Sequence, residues 1–176
     1  MHITLELVRD VLRKGFGRDS FVAGFITSVE ANQACGTACI TAEGRMQYAP
    51  AFCTQHLDHP EAVFCLVVHE LCHCLFRHSA HGHGKLENLG EDALINAFIT
   101  QTFSVMSGEG RLFRSFYQEE GIEGLLRPGS RLWLSRFGPL YAALYQGRGV
   151  MSSGEIIQTL RALLPKAELL EQVALL

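Results

Sequence analysis

Residues 69 to 73 read His-Glu-Leu-Cys-His and stand inside a helix-length apolar run from Val63 to Phe76. On an α-helix the two histidines lie one turn apart on one face, so two imidazole nitrogens can converge on one tetrahedral metal ion. Glu70 is rotated about 100° from His69, beside such an ion rather than on it. That offset suits a general base, whose carboxylate reaches a water on the metal and takes its proton. Eight histidines make a chance match of this pattern the competing explanation, and a helical wheel weighs against it. With His69 as origin, Val63, Phe64, Val67, Val68, Leu71, Cys74 and Leu75 gather on the far side. The wheel predicts an apolar stripe facing the core and histidines facing away from it. Such a helix packs on a sheet and opens its polar edge into a cleft.

A catalytic zinc takes three protein ligands and keeps one position open, so His69 and His73 need a third partner. The candidates are His78, His81, His83, Glu87, Glu91 and Asp92. A histidine six residues after His73 is excluded, because Ser79 stands there. His78, if the helix continues, rotates to about 180° and is explained as a cation near a helix C-terminus. His81 and His83 fall in a glycine-flanked loop, where histidines are ordinarily solvated. A helix from about Asn88, packed antiparallel to the first, could present one carboxylate. Asp92 and Asn96 are four apart on one of its faces, so Asp92 can bind the ion while Asn96 hydrogen-bonds a ligand imidazole. Glu91 shares the neighbouring face with apolar Ile95, which favours Asp92 and leaves Glu91 and His78 as alternatives. The competing reading of both acids is as first-turn charges that stabilise a helix N-terminus.

The elements that must position these groups follow from periodicity. Thr4 can cap a first helix with Leu5, Val8, Val11 and Leu12 as its apolar set, ending near Lys14-Gly15. A second helix is expected from Asp19 through Val29. Gly36 to Thr41 and Met46 to Tyr48, joined by Ala42-Glu43-Gly44-Arg45, read as a β-hairpin. Asp58, Pro60 and Glu61 form a helix start, and the helix runs to about Arg77. A loop at Ser79 to Gly84 leads to a helix from Asn88 to Met106, ended by Gly108 and Gly110. Arg111 to Arg131 is glycine-interrupted and is expected to cover one side of the cleft as a loop. Trp133 to Tyr145 reads as helical packing interrupted at Gly138-Pro139, and Ser152 or Ser153 with Glu155 starts a further helix to about Leu164. The expectation is one α+β domain over 1–176, mostly helical with a small sheet or hairpin next to the metal helix.

A chain of 176 residues buries a core without disulfides or metal, so a metal here is functional. A net charge of −3 without a basic stripe argues against nucleic acid. Only 19% of residues are charged; that apolar surplus, with the very apolar end of the segment from Lys166 to Leu176, points to self-association or a protein partner through the C-terminus. The first ten residues show no signal peptide, and no apolar run reaches a membrane span. The cytoplasm is therefore the expected location, and the six cysteines read as reduced. Cys35 and Cys39 lack the second pair of a zinc site. Cys65 and Cys72 fall near the metal-facing side of the wheel, with core packing the readier explanation. The missing His-x-Glu and Pro-Cys-x-x-Cys pair argues against a nucleobase deaminase.

Tyr48-x-Pro50, the His69-Glu70-x-x-His73 helix with His78, and Asn88-x-x-x-Asp92-x-x-Ile95-Asn96 together resemble the metallopeptidase domain often found ahead of a von Willebrand factor A domain. The resemblance covers roughly residues 36 to 100, and Ser152 to Leu164 resembles the helix that closes that domain. It implies a zincin-like fold with His69 and His73 as zinc ligands and Glu70 as the base, and it raises Asp92 to the favoured third ligand. Glu91 departs from the small residue expected beside the aspartate, which keeps it an alternative ligand. No von Willebrand domain follows in the chain, so on this reading its partner function is absent or supplied by another protein. The expected function is a zinc-dependent peptidase of narrow specificity. A peptide or protein substrate would add to the hairpin's edge strand, with oxyanion support from His78, His81, Tyr141 or Arg111. A zincin scaffold serving as a binding module and a hydrolase of small amides or esters are the alternatives.

Overall fold

The computed structural model describes residues 2–76, 84–147, 151–166 and 168, with the Trp133 side chain excepted. Its elements in order are α1 (Leu5–Phe16), α2 (Phe21–Phe25), β1 (Ser28–Ala31), β2 (Ala38–Ile40), β3 (Arg45–Tyr48), α3 (Pro50–His56), α4 (Pro60–Phe76), α5 (Lys85–Thr102), α6 (Arg111–Phe116), α7 (Gly138–Tyr145) and α8 (Ser153–Leu163). Two 3₁₀ turns, Ile122–Leu126 and Arg131–Leu134, stand between α6 and α7. The result is α+β and mostly helical, with one small sheet.

Thr4 caps α1 as its sequence predicts, its hydroxyl accepting from the Leu7 N–H at 3.1 Å. Ser152 and Glu155 form a reciprocal capping box at α8. The sheet has the order β1-β3-β2. Its hairpin is the expected one, β2 antiparallel to β3 with Cys39 opposite Gln47. Gly44 makes the turn at φ +75°, and a Cβ there would run into the Phe25 carbonyl.

β1 was not expected: the predicted second helix stops at Phe25, and Ser28–Ala31 pairs in parallel with β3 instead. The β-branched residues Ile26, Thr27 and Val29 favour the strand once β3 offers it a partner. Asp58 does not cap α4. Its carboxylate takes a bidentate pair from Arg111, at 3.1 and 2.7 Å, and Pro60 opens the helix without it. The third helix begins earlier than expected, at Lys85, and gives way to turns after Thr102. Residues 111–131 carry α6 and a 3₁₀ turn rather than a loop.

α4 departs most from its wheel. From Ala62 to Val68 every residue is buried, and His69, Leu71 and Cys72 are buried too, whereas Leu75, placed in the apolar stripe, is 66% exposed. The helix is therefore central rather than amphipathic, contacted by α1, α5, α6 and β2. Gly15 lets α1 come close, since a Cβ there would overlap the Phe64 ring. Beyond Glu61 in its first turn, polar groups reach open space only along its last two turns.

α5 joins two apolar clusters. Ile95 and Ile99 face the cluster built on α1, α4 and the sheet, while Leu89, Ala93 and Ala97 face a second one with α7, α8 and the 3₁₀ turns. The loop at 79–84, save Gly84, and the apolar C-terminal end lie outside the described residues.

Candidate metal centre

Asp92 and Asn96 lie between the two apolar stripes of α5, and there they meet the C-terminal half of α4. His69 Nε2 and His73 Nε2 are 2.9 Å apart. Asp92 Oδ1 lies 2.9 Å from His73 Nε2 and 3.5 Å from His69 Nε2. A tetrahedral zinc with bonds of about 2.0–2.1 Å sets its ligand atoms about 3.3 Å apart. The three side chains thus already form one face of such a tetrahedron, and two imidazoles with a carboxylate are a donor set that suits zinc. Among the described residues, His69, His73 and Asp92 are the group that could hold a metal ion.

Asn96 fixes how His69 presents itself. This amide is fully buried, and its Nδ2 donates to the Leu126 carbonyl at 3.0 Å. Since only the NH₂ end can donate, Oδ1 must be the end that lies 2.8 Å from His69 Nδ1. His69 Nδ1 therefore carries a hydrogen, and Nε2 is the nitrogen that faces Asp92 and His73 and offers a lone pair to an ion once its own proton has left.

The charges answer to the same geometry. Burial works against the His69 cation, but its hydrogen bond and proximity to Asp92 prevail and raise its pKa. Burial also disfavours ionised Asp92, yet the two histidines hold its carboxyl well below the usual range. Glu70 is the converse. Burial pushes its pKa up, with Asp92 adding to the effect, and the partial opposition of His69 and His73 does not cancel it.

These groups line a cleft of about 680 Å³. β2 forms one rim, with Thr37 to Ile40 along it. Thr41 N and Thr37 O bond to the β3 side, with Arg45 and Ala49, at 2.9 and 2.7 Å. In an antiparallel ladder the alternate residues, Ala38 and Ile40, then turn their N–H and C=O groups to the outer edge. The opposite wall is Phe116, Tyr117, Gln118 and the 3₁₀ turn with Glu123 and Leu126, so the segment expected to cover the cleft does so.

Of the other sequence candidates, Glu91 is buried and lines the cleft but is not among the three converging residues. Glu87 pairs with Arg161 at 3.4 Å. His78, His81 and His83 lie outside the described residues. Two oxyanion candidates are misplaced. Arg111 is held by Asp58. The Tyr141 hydroxyl, in the second cluster, accepts from Ser130 N at 3.1 Å. Cys65 bonds the Ser107 carbonyl through its sulfur at 3.4 Å, and burial pushes its thiol up to about 12. Cys72 is likewise buried and raised to about 11. Both are core residues, and all six cysteines are free.

Sequence reasoning missed Tyr117, a half-buried phenol in the cleft wall. Burial first, then the neighbouring charge of Asp92, keeps its hydroxyl protonated far above neutral pH. Nothing in its local sequence marks it, because α6 and the turn after it bring it to the site.

A family model described as "Putative metallopeptidase domain" matches residues 12–106, a wider stretch than the motifs alone span. No curated protein and no solved structure matches the chain.

Proposed function

The chain belongs to this family of metallopeptidase domains, and from that premise we propose that it is a zinc-dependent peptidase with a zincin-like fold. In this reading His69, His73 and Asp92 hold the ion and Glu70 is the general base. The observation that carries it is the convergence of three donor atoms within 3.5 Å of one another in a cleft, with Glu70 on the next helical position. Zinc held there would supply a Lewis acid for a carbonyl oxygen and bring the pKa of a water to about 7.

The chain's own groups supply the rest. Asn96 holds the His69 ring in the tautomer that offers Nε2. Glu70, its pKa raised by burial, is the carboxylate that takes a proton and returns it to a leaving amine. Ala38 and Ile40 offer a peptide main chain the hydrogen-bonding edge of β2. The Tyr117 hydroxyl is a neutral donor to the carbonyl oxygen as charge develops on it.

The test is Glu70→Gln. Elemental mass spectrometry should find about one zinc per chain in both forms, while cleavage of an unfolded-protein substrate should disappear in the variant. An active Gln variant would refute the mechanism. A chain that takes up no zinc when it is offered would favour the binding-module alternative.

A further inference from the structure

A second, smaller recess opens beside Glu70. Its walls are Phe52, Leu66, Leu112, Phe113 and Phe116, and it shares Thr37, His69, Glu70, Phe116 and Tyr117 with the main cleft. The first four wall residues are buried and belong to the apolar cluster around α4. Phe116 is braced edge-on against Phe52 and His56, each at a centroid distance of 5.2 Å. The recess is thus walled by carbon on the side of Phe52, Leu66, Leu112 and Phe113, while Thr37, His69, Glu70 and Tyr117 complete its lining toward the cleft.

Water molecules could be centred within about 40 Å³ of it, which is room for about three of them, or roughly 90 Å³ of liquid. Water against such walls makes few hydrogen bonds, so an apolar group that displaces it gains affinity. A branched aliphatic side chain has that bulk; an indole does not fit unless Phe116 moves. An acidic side chain would lose its hydration there and face the Glu70 carboxyl.

We propose that this recess is the specificity pocket of the site, taking one Val, Leu or Ile side chain from the residue that flanks the scissile bond. The substrate class is then peptides with a branched aliphatic residue at that position. The proposal rests on the metallopeptidase reading above.

It is tested on the zinc-loaded full chain with malonyl-type peptide hydroxamates that differ only in the side chain beside the metal-binding group: hydrogen, methyl, isobutyl, indolylmethyl or carboxyethyl. Dissociation constants are read by calorimetry. Each buried methylene is worth about fourfold in affinity, so the isobutyl compound should exceed the hydrogen compound by at least tenfold and be the tightest of the five. Phe116→Ala should improve indolylmethyl binding about tenfold relative to the methyl compound. If that variant does not fold, the native series alone decides. A flat series, or a preference for carboxyethyl, overturns the pocket and leaves the metal site standing. Failure of every member to bind, the one without a side chain included, overturns the metal-site reading and this proposal with it.

Discussion

Replacing Asn96 by Leu tests the link between the metal site and its support. The amide is wholly buried and bonds His69 Nδ1 at 2.8 Å and the Leu126 carbonyl at 3.0 Å. Leucine fills nearly the same volume, so the loss is polar rather than steric. It leaves a buried N–H and a buried carbonyl unsatisfied, at about 1–3 kcal/mol each. For a chain of this size about 1 kcal/mol moves the melting temperature by about 2–4 °C, so a drop of at least 4 °C is expected. The larger consequence is at the ion. Freed of its acceptor, the His69 ring can turn or exchange tautomer, and loss of such an outer partner lowers metal affinity about 10–100-fold. Competition with a chromogenic chelator measures this, and circular dichroism checks the fold. Asn96→Asp separates the two roles: it keeps the acceptor for His69 Nδ1–H and loses the donor to Leu126. Its zinc affinity should stay at or above the native level while its melting temperature falls. A folded Asn96→Leu chain with native zinc affinity would refute the reasoning, as would an Asp variant that binds zinc as weakly as the Leu variant.

Asp92→Ala should lose zinc at concentrations that saturate the native chain, while Glu91→Ala should weaken binding at least tenfold less; the reverse order would move the third ligand to Glu91. Tyr117→Phe should lower kcat about 100-fold, as loss of one oxyanion donor does, with KM and zinc content unchanged; a change confined to KM would make Tyr117 a substrate contact only. Zinc must displace the proton that Asp92 helps His69 to hold. Because the His69 pKa is raised, affinity should be level at high pH and fall as pH drops through the raised value, and calorimetry in buffers of different ionisation enthalpy should find more proton release per zinc at pH 6 than at pH 8. The folded pKa of Glu70 lies above its unfolded one, so its contribution to stability is present at low pH and lost as pH rises through the folded value. Glu70→Gln should therefore raise the melting temperature of the metal-free chain at pH 8, by more than at pH 4.

The geometry of the candidate site was legible because a helix converts spacing into direction. His69 and His73, and then Asp92 and Asn96, are four-residue pairs, and each arrives on one face as the period requires. Caps with a local mechanism, Thr4 and Ser152-Glu155, were legible for the same reason. What failed depends on partners distant in sequence. Ser28–Ala31 is a strand because β3 lies beside it, and Asp58 turns from its helix to Arg111, fifty-three residues on. The α4 wheel failed because burial on every side erases the contrast a wheel reads; α1 and α6 cover faces that an isolated helix would leave wet. Tyr117 was invisible since its place in the cleft is decided by the path of residues 103–122 rather than by any pattern within them.

The position of the site follows from α5 serving two cores at once. Taking Asp92 as origin, Ile95 and Ile99 fall at about 300–340° and Leu89, Ala93 and Ala97 at about 60–140°. Asp92 and Asn96 occupy the narrow sector between, which is where two apolar clusters meet without merging. Side chains from two separately packed cores do not interlock along such a seam as they do within one, and the space left over is the cleft. A buried amide survives there only if both sides satisfy it. Asn96 is satisfied by His69, on a helix of the first cluster, and by the carbonyl of Leu126, in the second. The tautomer of a candidate metal ligand is therefore set by the register between the two cores. A cavity made in the second cluster, by Leu125→Ala for example, is therefore expected to lower zinc affinity through Leu126 and Asn96 without touching the ion, and the same chelator competition reads it; unchanged affinity in a folded variant would refute the coupling.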